Sequence, residues 1–491
     1  MGIIKKLASQ TAIYGLSSIV GRFLNYLLVP FLTNHFAPEQ YGVISEFYAY
    51  AGFFSVLLLL GFDTGYFRFR NKQKVVDDKA FSTALWFVLQ VNVWFFTLIV
   101  WINPWLSKLL NYPDHPEYVL CFSLILVMDA IASVAFARLR AEDKAFRFAG
   151  IKIIEILITV GLTIFFIQIC PMLYADNTFA WLGKIYNPDL GVGYVFIANL
   201  IASIGKFIML APQFAGIRWG WDNTLFPRMF KYSLPMVIIG FAGIINEMLD
   251  RVLLKYYLPY DTLTNMKMLG IYSACYKLSI LMSLFIQAFR FAAEPFFFAY
   301  ADKSDSKVIY AKVLRFFVIF CVFIFLLVTL FIDFFKYFVG PDFRSGLDVV
   351  PILLLANLFL GIYVNLSIWY KLTDRTLIGA FVSLCAAVLT IYLNIRWIPV
   401  YGYMGSAWAT LACYGGMAVI SYVIGQVYYP VKYDVLQILA YIGLGLGLYQ
   451  ASLQLRTIIF WPPGILAGLL LVFYLLIAAL FEGRKLRSVN T

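Results

Sequence analysis

Apolar runs long enough to cross the ~30 Å hydrocarbon core of a bilayer recur along the whole of this 491-residue chain. Fourteen are read, near residues 11–33, 41–62, 80–103, 117–138, 149–170, 192–212, 231–257, 270–298, 310–332, 347–370, 377–398, 403–427, 435–453 and 461–481. Runs of this length predict helices, not barrel strands, because a helix satisfies its own backbone inside lipid. The polar positions within them fall in stripes. In the seventh run, Gly240, Gly243, Asn246, Glu247, Asp250 and Arg251 share an arc of roughly 140°, with Ile238, Phe241, Ile244, Ile245, Met248, Leu249, Val252 and Leu253 opposite. The first run puts Tyr14, Gly15, Ser18, Gly21, Arg22 and Asn25 on one side. The eighth stacks Tyr272, Tyr276, Ser279, Ser283, Gln287, Arg290 and Glu294 along nearly its whole length, with Lys277 slightly to one side, so it is expected to face water. The pattern predicts an all-α integral membrane protein of about fourteen transmembrane helices, with polar lining on spans one, seven and eight.

A charge at bilayer depth costs about 3 kcal/mol or more by insertion scales, and such groups face a bundle interior or a watery cavity. On the seventh span two readings compete. Glu247 with Arg251 and Asn246 with Asp250, both at i,i+4 spacing, neutralise one another, or these residues line a substrate path, with Glu247 and Asp250 as the ion-coupling carboxylates. Arg22, near mid-span, needs a carboxylate, a water-filled cavity or an anionic ligand. Asp129, Glu155 and Lys206, on the fourth, fifth and sixth spans, read as ion pairs within the first bundle, with a transport role as the alternative.

Composition agrees with the patterning: 62% of residues are hydrophobic and 13% charged, far from a soluble globular protein. The net charge of +12 does not point to nucleic acid, because the bases alternate with the loops. With both termini in the cytoplasm, 25 of the 38 Lys and Arg fall in cytoplasmic segments and 8 in opposite loops, as the positive-inside rule requires. The start, with Lys5 and Lys6 ahead of an apolar run that carries Arg22 and no convincing cleavage site, reads as an uncleaved first helix. The six cysteines are scattered singly, and the two histidines, His35 and His115, stand in outer loops. No metal site, cofactor, disulfide framework or Ser/His/Asp catalysis is expected.

The chain repeats itself. Gly21–Pro38 has the outline of Gly243–Pro259, with Asn25 near Asn246, and Y-G-V-I-S at Tyr41 parallels L-G-I-Y-S at Leu269. Two six-span lobes are inferred, 1–215 and 216–430, followed by two additional helices in 431–491. Six is even, so the repeat is parallel, about an axis along the membrane normal.

V-P-F-L-T-N-H-F-A-P-E-Q-Y-G (Val29–Gly42), R-L-R-A-E-D-K (Arg138–Lys144), L-D-R-V-L-L (Leu249–Leu254), L-G-I-Y-S-A-C-Y-K-L-S (Leu269–Ser279) and A-E-P-F (Ala293–Phe296) occur in this order. In them the chain resembles the polysaccharide or lipid-linked oligosaccharide flippases of the multidrug/oligosaccharidyl-lipid/polysaccharide exporter superfamily. The resemblance covers about the first twelve spans. It implies two six-helix lobes forming a V, with a cavity that opens alternately to each side. The implied cargo is a polyprenyl pyrophosphate-linked oligosaccharide, a surface polysaccharide unit, moved across a bacterial cytoplasmic membrane among membrane lipids and alongside other polysaccharide assembly proteins. The matching cationic candidates are Arg22, Arg251, Lys277 and Arg290, with Asn25, Asn246 and Gln287 beside them. The first helix reads G-R-F-L-N at Gly21 and lacks the G-F-x-R-D pattern associated with lipid II flippases, which disfavours a peptidoglycan precursor.

Two rivals are distinguishable. A multidrug exporter of the same fold suits an acidic cavity, whereas this lining mixes both signs with bases prominent. A membrane glycosyltransferase or polymerase needs acid/base carboxylates or metal ligands near the membrane face. The longest outer loop, around Pro171–Gly191, holds Asp176 and Asp189 without a motif.

Overall fold

The computed structural model describes residues 19–490 except 21, 22, 25, 72–76, 176–185, 218–219, 221, 302 and 459–461. The described residues are helical, with no β-strand among them. The principal helices are α1 Pro38–Leu59, α2 Phe62–Asn71, α3 Asp77–Leu109, α4 Pro116–Ala141, α5 Ala145–Ile164, α6 Gly193–Leu210, α7 Phe226–Tyr257 and α8 Thr262–Tyr276. They continue as α9 Ile280–Tyr300, α10 Ser306–Leu330, α11 Val349–Leu366, α12 Thr376–Tyr401, α13 Tyr403–Tyr428, α14 Val435–Ile458 and α15 Pro463–Asn490. Twelve helical segments among the described residues are long and apolar enough to cross a membrane. Of the fourteen runs expected, about half of the first lies outside the described residues. The seventh is the 32-residue α7, which is not among the twelve. The protein is a multi-pass membrane protein.

The chain divides into two compact units, Met1–Val252 and Leu253–Thr491, the division falling inside α7. In the first unit α1 starts at Pro38, whose missing N–H is harmless at a helix start, and Gln40 Oε1 accepts the Ala37 N–H at 3.1 Å. It ends where Leu60 and Gly61 turn to positive φ (48° and 69°). That turn brings α2 against α7: Ser233 Oγ donates to the Gly61 carbonyl at 3.2 Å, and a Cβ on Gly65 would stand 2.7 Å from Ser233 Oγ. Beyond α5 the helix widens into one π turn at Phe165–Ile169, just before Pro171, whose ring cannot donate to the i−4 carbonyl.

Arg138, in the R-L-R-A-E-D-K link, closes the end of α6. Its Nη1 donates to the Gln213 and Ala215 carbonyls at 2.6 and 3.2 Å, and the side chain pairs with Glu142 at 3.2 Å. Asp222 holds the start of α7 in the same way. Its Oδ1 accepts the Thr224 hydroxyl (2.6 Å), the Thr224 N–H (2.9 Å) and the Leu225 N–H (3.1 Å). The Thr224 bonds first, then the Leu225 N–H, lower the Asp222 carboxyl to about 2. A lowered carboxyl contributes stability above the ordinary aspartate range and loses it as pH falls through its folded value, so this anchor is constant at neutral pH and fails only near pH 2.

In the second unit α14 and α15 are fastened to α10 at several levels. Glu482 on α15 is buried, with Oε2 2.8 Å from Arg315 Nη2 of α10 and Oε1 accepting from Gln437 and Tyr441 of α14 at 2.9 and 3.0 Å. Farther along, Tyr474 Oη donates to the Ile319 carbonyl at 2.8 Å, and a Cβ on Gly445 would lie 2.5 Å from Val322 Cγ1. At the far end Arg456 pairs with Asp333 at 2.9 Å and caps the Leu330 carbonyl at 2.5 Å. Small residues and interhelical hydrogen bonds are what hold helices together where lipid removes the hydrophobic drive.

Candidate functional site

Arg22 and Asn25 lie outside the described residues; the other candidates fall into two groups, one on α7 in the first unit and one on α8 and α9 in the second. On α7, Asp250 and Arg251 are buried, Asn246 is half-buried and Glu247 exposed. The pairing expected from i,i+4 spacing, Glu247 with Arg251, is not the one formed. Arg251 Nη1 stands 3.1 Å from Asp250 Oδ1, the same oxygen accepts the Arg251 main-chain N–H at 2.8 Å, and Nη1 also donates to the Glu247 carbonyl oxygen at 2.7 Å. Both charges turn to the buried side of the helix, where each needs the other, while Glu247 stays on the exposed side, where its carboxylate keeps its solvation. Nearly three turns earlier, Gly240 lets α1 approach α7: a Cβ there would be 3.1 Å from Val56 of α1.

The α8–α9 stripe divides in two. Its first half is not wet, contrary to the expectation for a helix polar throughout. Tyr272 and Ser279 are fully buried; Ser283 donates to Asn357 Oδ1 of α11 at 3.1 Å, and Asn357 Nδ2 donates to Ser279 Oγ at 3.4 Å. The polar groups are there to satisfy one another between packed helices. Lys277 is half-buried in a 3₁₀ turn, Lys277–Ser279, that separates α8 from α9. The second half is open. Gln287 is half-buried with Oε1 accepting no hydrogen bond among the described residues. Arg290 is exposed and bonds to none of them, while its neighbour Glu294 is paired with the Lys371 ammonium. Arg290, Glu294, Lys371 and Asn365 border a cleft of about 20 Å³, and Asn365 Oδ1 is buried without a donor. Such a cleft admits about one water and no phosphate. An anion would therefore meet the Arg290 guanidinium at its exposed side, where a planar fork of donors matches a phosphate.

Sequence reasoning missed Glu46. It is fully buried on α1, accepting the Tyr50 hydroxyl at 2.7 Å and the Tyr112 hydroxyl at 2.5 Å, which ties the loop after α3 to α1. The available signal was a lone carboxylate in an apolar run with a tyrosine four residues on.

The sequence pattern of the polysaccharide biosynthesis protein family matches residues 32–335, more than half of the chain. The chain belongs to that family. This family member is 20% identical over 430 residues to "Lsg locus putative protein 1" of Haemophilus influenzae, covering 82% of this chain and 95% of that protein. Its fold is that of the lipid II flippase MurJ in an inward closed conformation, with a TM-score of 0.73 at 15% identity over 96% of this chain and 99% of the other. An inward-facing multidrug resistance MATE family transporter of the MOP superfamily also matches, at a TM-score of 0.63 and 12% identity over 85% and 94% of the two chains. At these identities the two structures speak for the fold alone, which is the one the family resemblance implied.

Proposed function

We propose that this polysaccharide biosynthesis protein is a transporter that flips a polyprenyl pyrophosphate-linked oligosaccharide across a bacterial cytoplasmic membrane by alternating access, with both chain ends in the cytoplasm. Its two repeats are 1–215 and 216–430. The observation that carries the reading is Arg290: an exposed guanidinium, unpaired among the described residues, inside the Thr262–Phe298 membrane-spanning segment of a protein of this family. An intramembrane charge left without a partner is costly unless something anionic or aqueous meets it, and a pyrophosphate supplies both the charge and the bidentate acceptors. Gln287, one turn away, is half-buried with its Oε1 buried and accepting no hydrogen bond among the described residues, and it belongs to the candidate lining as a neighbour of Arg290. Lys277 in the second unit and Asn246 and Arg251 in the first are further candidate lining, and Arg22 and Asn25 complete the set expected from the sequence. Glu247, exposed and with its carboxylate bonded to no described side chain, is the better placed of the two coupling carboxylates, because Asp250 is engaged by Arg251.

Arg290 is tested by binding of a soluble short-chain prenyl pyrophosphate oligosaccharide to the purified protein. Arg290→Lys is expected to weaken binding by the loss of charge-assisted hydrogen bonds, about 1.5–3 kcal/mol, or roughly ten- to a hundredfold. Arg290→Ala should be at least as weak. Parental affinity in both folded variants would remove Arg290 from the site.

A further inference from the structure

At one end of the first unit α2 and α7 hold each other through two arginines. α2 lies between the membrane-spanning segments Pro38–Leu59 and Lys79–Leu109, and the loop that leads into α7 reaches the same end, where the Asp222 N–H donates to the Thr83 hydroxyl at 3.1 Å. The Arg68 guanidinium of α2 lies 4.3 Å from the centroid of the Tyr232 ring of α7. The Arg228 guanidinium of α7 lies 5.5 Å from that of Phe69 of α2. The two rings meet edge to face, 6.3 Å apart. The helices are thus joined by a reciprocal cation–π clasp.

Stacking occupies the face of a guanidinium and leaves the N–H donors at its rim for other acceptors. Arg68 and Arg228 are both exposed, and so is Lys231, about one turn beyond Arg228 on α7. Neither Arg68 nor Lys231 pairs with a carboxylate among the described residues. The nearby acids are taken by other bases: Asp63 by Arg140 at 3.7 Å, Asp222 by Lys79 at 3.5 Å, and Glu142 by Arg138 and Lys144. This end therefore keeps a surplus of positive charge. Large apolar side chains are exposed beside it, Phe67 next to Arg68 and Leu234 three residues after Lys231, at 42% and 47%. Exposed bases and exposed apolar groups together, at the end of membrane-crossing helices, suit the boundary between head groups and acyl chains. The clasp by itself accounts for neither Lys231, which takes no part in it, nor the exposed Phe67.

We propose that this end of the first unit binds the head group of an anionic glycerophospholipid, with Arg68, Arg228 and Lys231 as its cations. The lipid phosphate accepts from the rim N–H groups that stacking leaves open and from the Lys231 ammonium. Tyr232 and Phe69 hold the two guanidiniums in place beforehand, which lowers the entropy lost on binding. Phe67 and Leu234 meet the acyl chains. A zwitterionic head group presents the same phosphate but brings its own cation, so the surplus charge favours the anionic lipid. A lipid bound to bases of both helices adds a second tie between α2 and the start of α7. Cargo takes no part in this binding.

The test is native mass spectrometry of the purified full-length protein in a neutral detergent, titrated with phosphatidylglycerol and with phosphatidylcholine of the same acyl chains. The parent is expected to bind phosphatidylglycerol at least tenfold more tightly. Each base at an anionic lipid surface adds roughly fivefold in affinity, so Arg68→Gln/Lys231→Gln should lose about 25-fold for phosphatidylglycerol and little for phosphatidylcholine. Lys231→Gln alone leaves the clasp whole and should lose roughly fivefold by the same rule, which keeps the test decisive if the Arg68 variant does not fold. Lys303→Gln/Lys307→Gln removes two exposed bases of the second unit that stack on Tyr300 and Tyr429, and should keep the parental preference. Equal affinity of the parent for the two lipids, an unchanged preference in folded Lys231→Gln, or an equal loss in the second-unit variant overturns the proposal. Displacement of phosphatidylglycerol by an equal concentration of inorganic phosphate overturns it too, since the site would then be one for free phosphate.

Discussion

Truncating Glu482 to alanine is expected to be the most damaging single change in the second unit. Its carboxylate is the common partner of Arg315 on α10 and of Gln437 and Tyr441 on α14. Removing it leaves the Arg315 guanidinium, 12% exposed, without its carboxylate in a low-dielectric interior. Breaking a buried pair in this way costs about 3–5 kcal/mol, because the surviving charge stays desolvated and uncompensated. The Arg456–Asp333 pair at the other end is more exposed and cannot make up the difference. The expected observations are a lower midpoint of thermal unfolding in detergent and early proteolysis between α13 and α14. Arg315→Met combined with Glu482→Met should recover much of the loss, since an apolar replacement leaves no charge behind. A Glu482→Ala protein as stable as the parent would mean that the last two helices are held by packing alone.

Arg251→Ala is expected to act through stability before it acts on cargo. Arg251 and Asp250 are 7% and 6% exposed and 3.1 Å apart, so the alanine variant takes its guanidinium partner from a buried carboxylate, a loss of up to about 3–5 kcal/mol. Asp250→Asn should be milder than Arg251→Ala, because the amide oxygen still accepts both the Arg251 main-chain N–H and its guanidinium N–H. In the double variant Asp250→Asn/Arg251→Met abundance should return toward the parent. Transport per folded molecule in that double variant then reports whether Arg251 touches cargo: retained flipping assigns the pair to structure, and lost flipping at normal abundance assigns Arg251 to the lining. Abundance of Arg251→Ala equal to the parent would contradict the structural account of the pair.

These two cases show what the sequence could and could not disclose. The helical membrane fold was legible because span length and apolarity are local properties, fixed by bilayer thickness. The polar positions on α7 and α8–α9 were legible too, but the single faces that periodicity gave them are not kept: α7 buries Asp250 and Arg251 and exposes Glu247, and a 3₁₀ turn divides α8 from α9. What periodicity cannot supply is the neighbour. Ser279 and Ser283 look like water-facing groups until Asn357, more than seventy residues on, is seen between them. Glu247 looks like the partner of Arg251 because spacing alone favours it, and burial decides for Asp250. Lys206 with Asp129 and Glu155 was suggested by opposite charges at similar depth, while the particular oxygens that Lys206, Lys152 and Ser203 engage depend on side-chain geometry that no spacing rule contains. Glu482 and Arg315 are 167 positions apart, and nothing in either apolar run announced the other.

The central claim is that cargo crosses the bilayer on this protein. It is tested most directly in proteoliposomes loaded on one side with a defined polyprenyl pyrophosphate oligosaccharide, by following its exposure to a membrane-impermeant glycosidase on the other. The account predicts exposure well above that of protein-free liposomes for the parent, and a marked fall for Arg290→Ala reconstituted at equal density. Exposure in folded parent proteoliposomes no faster than in protein-free ones would contradict it.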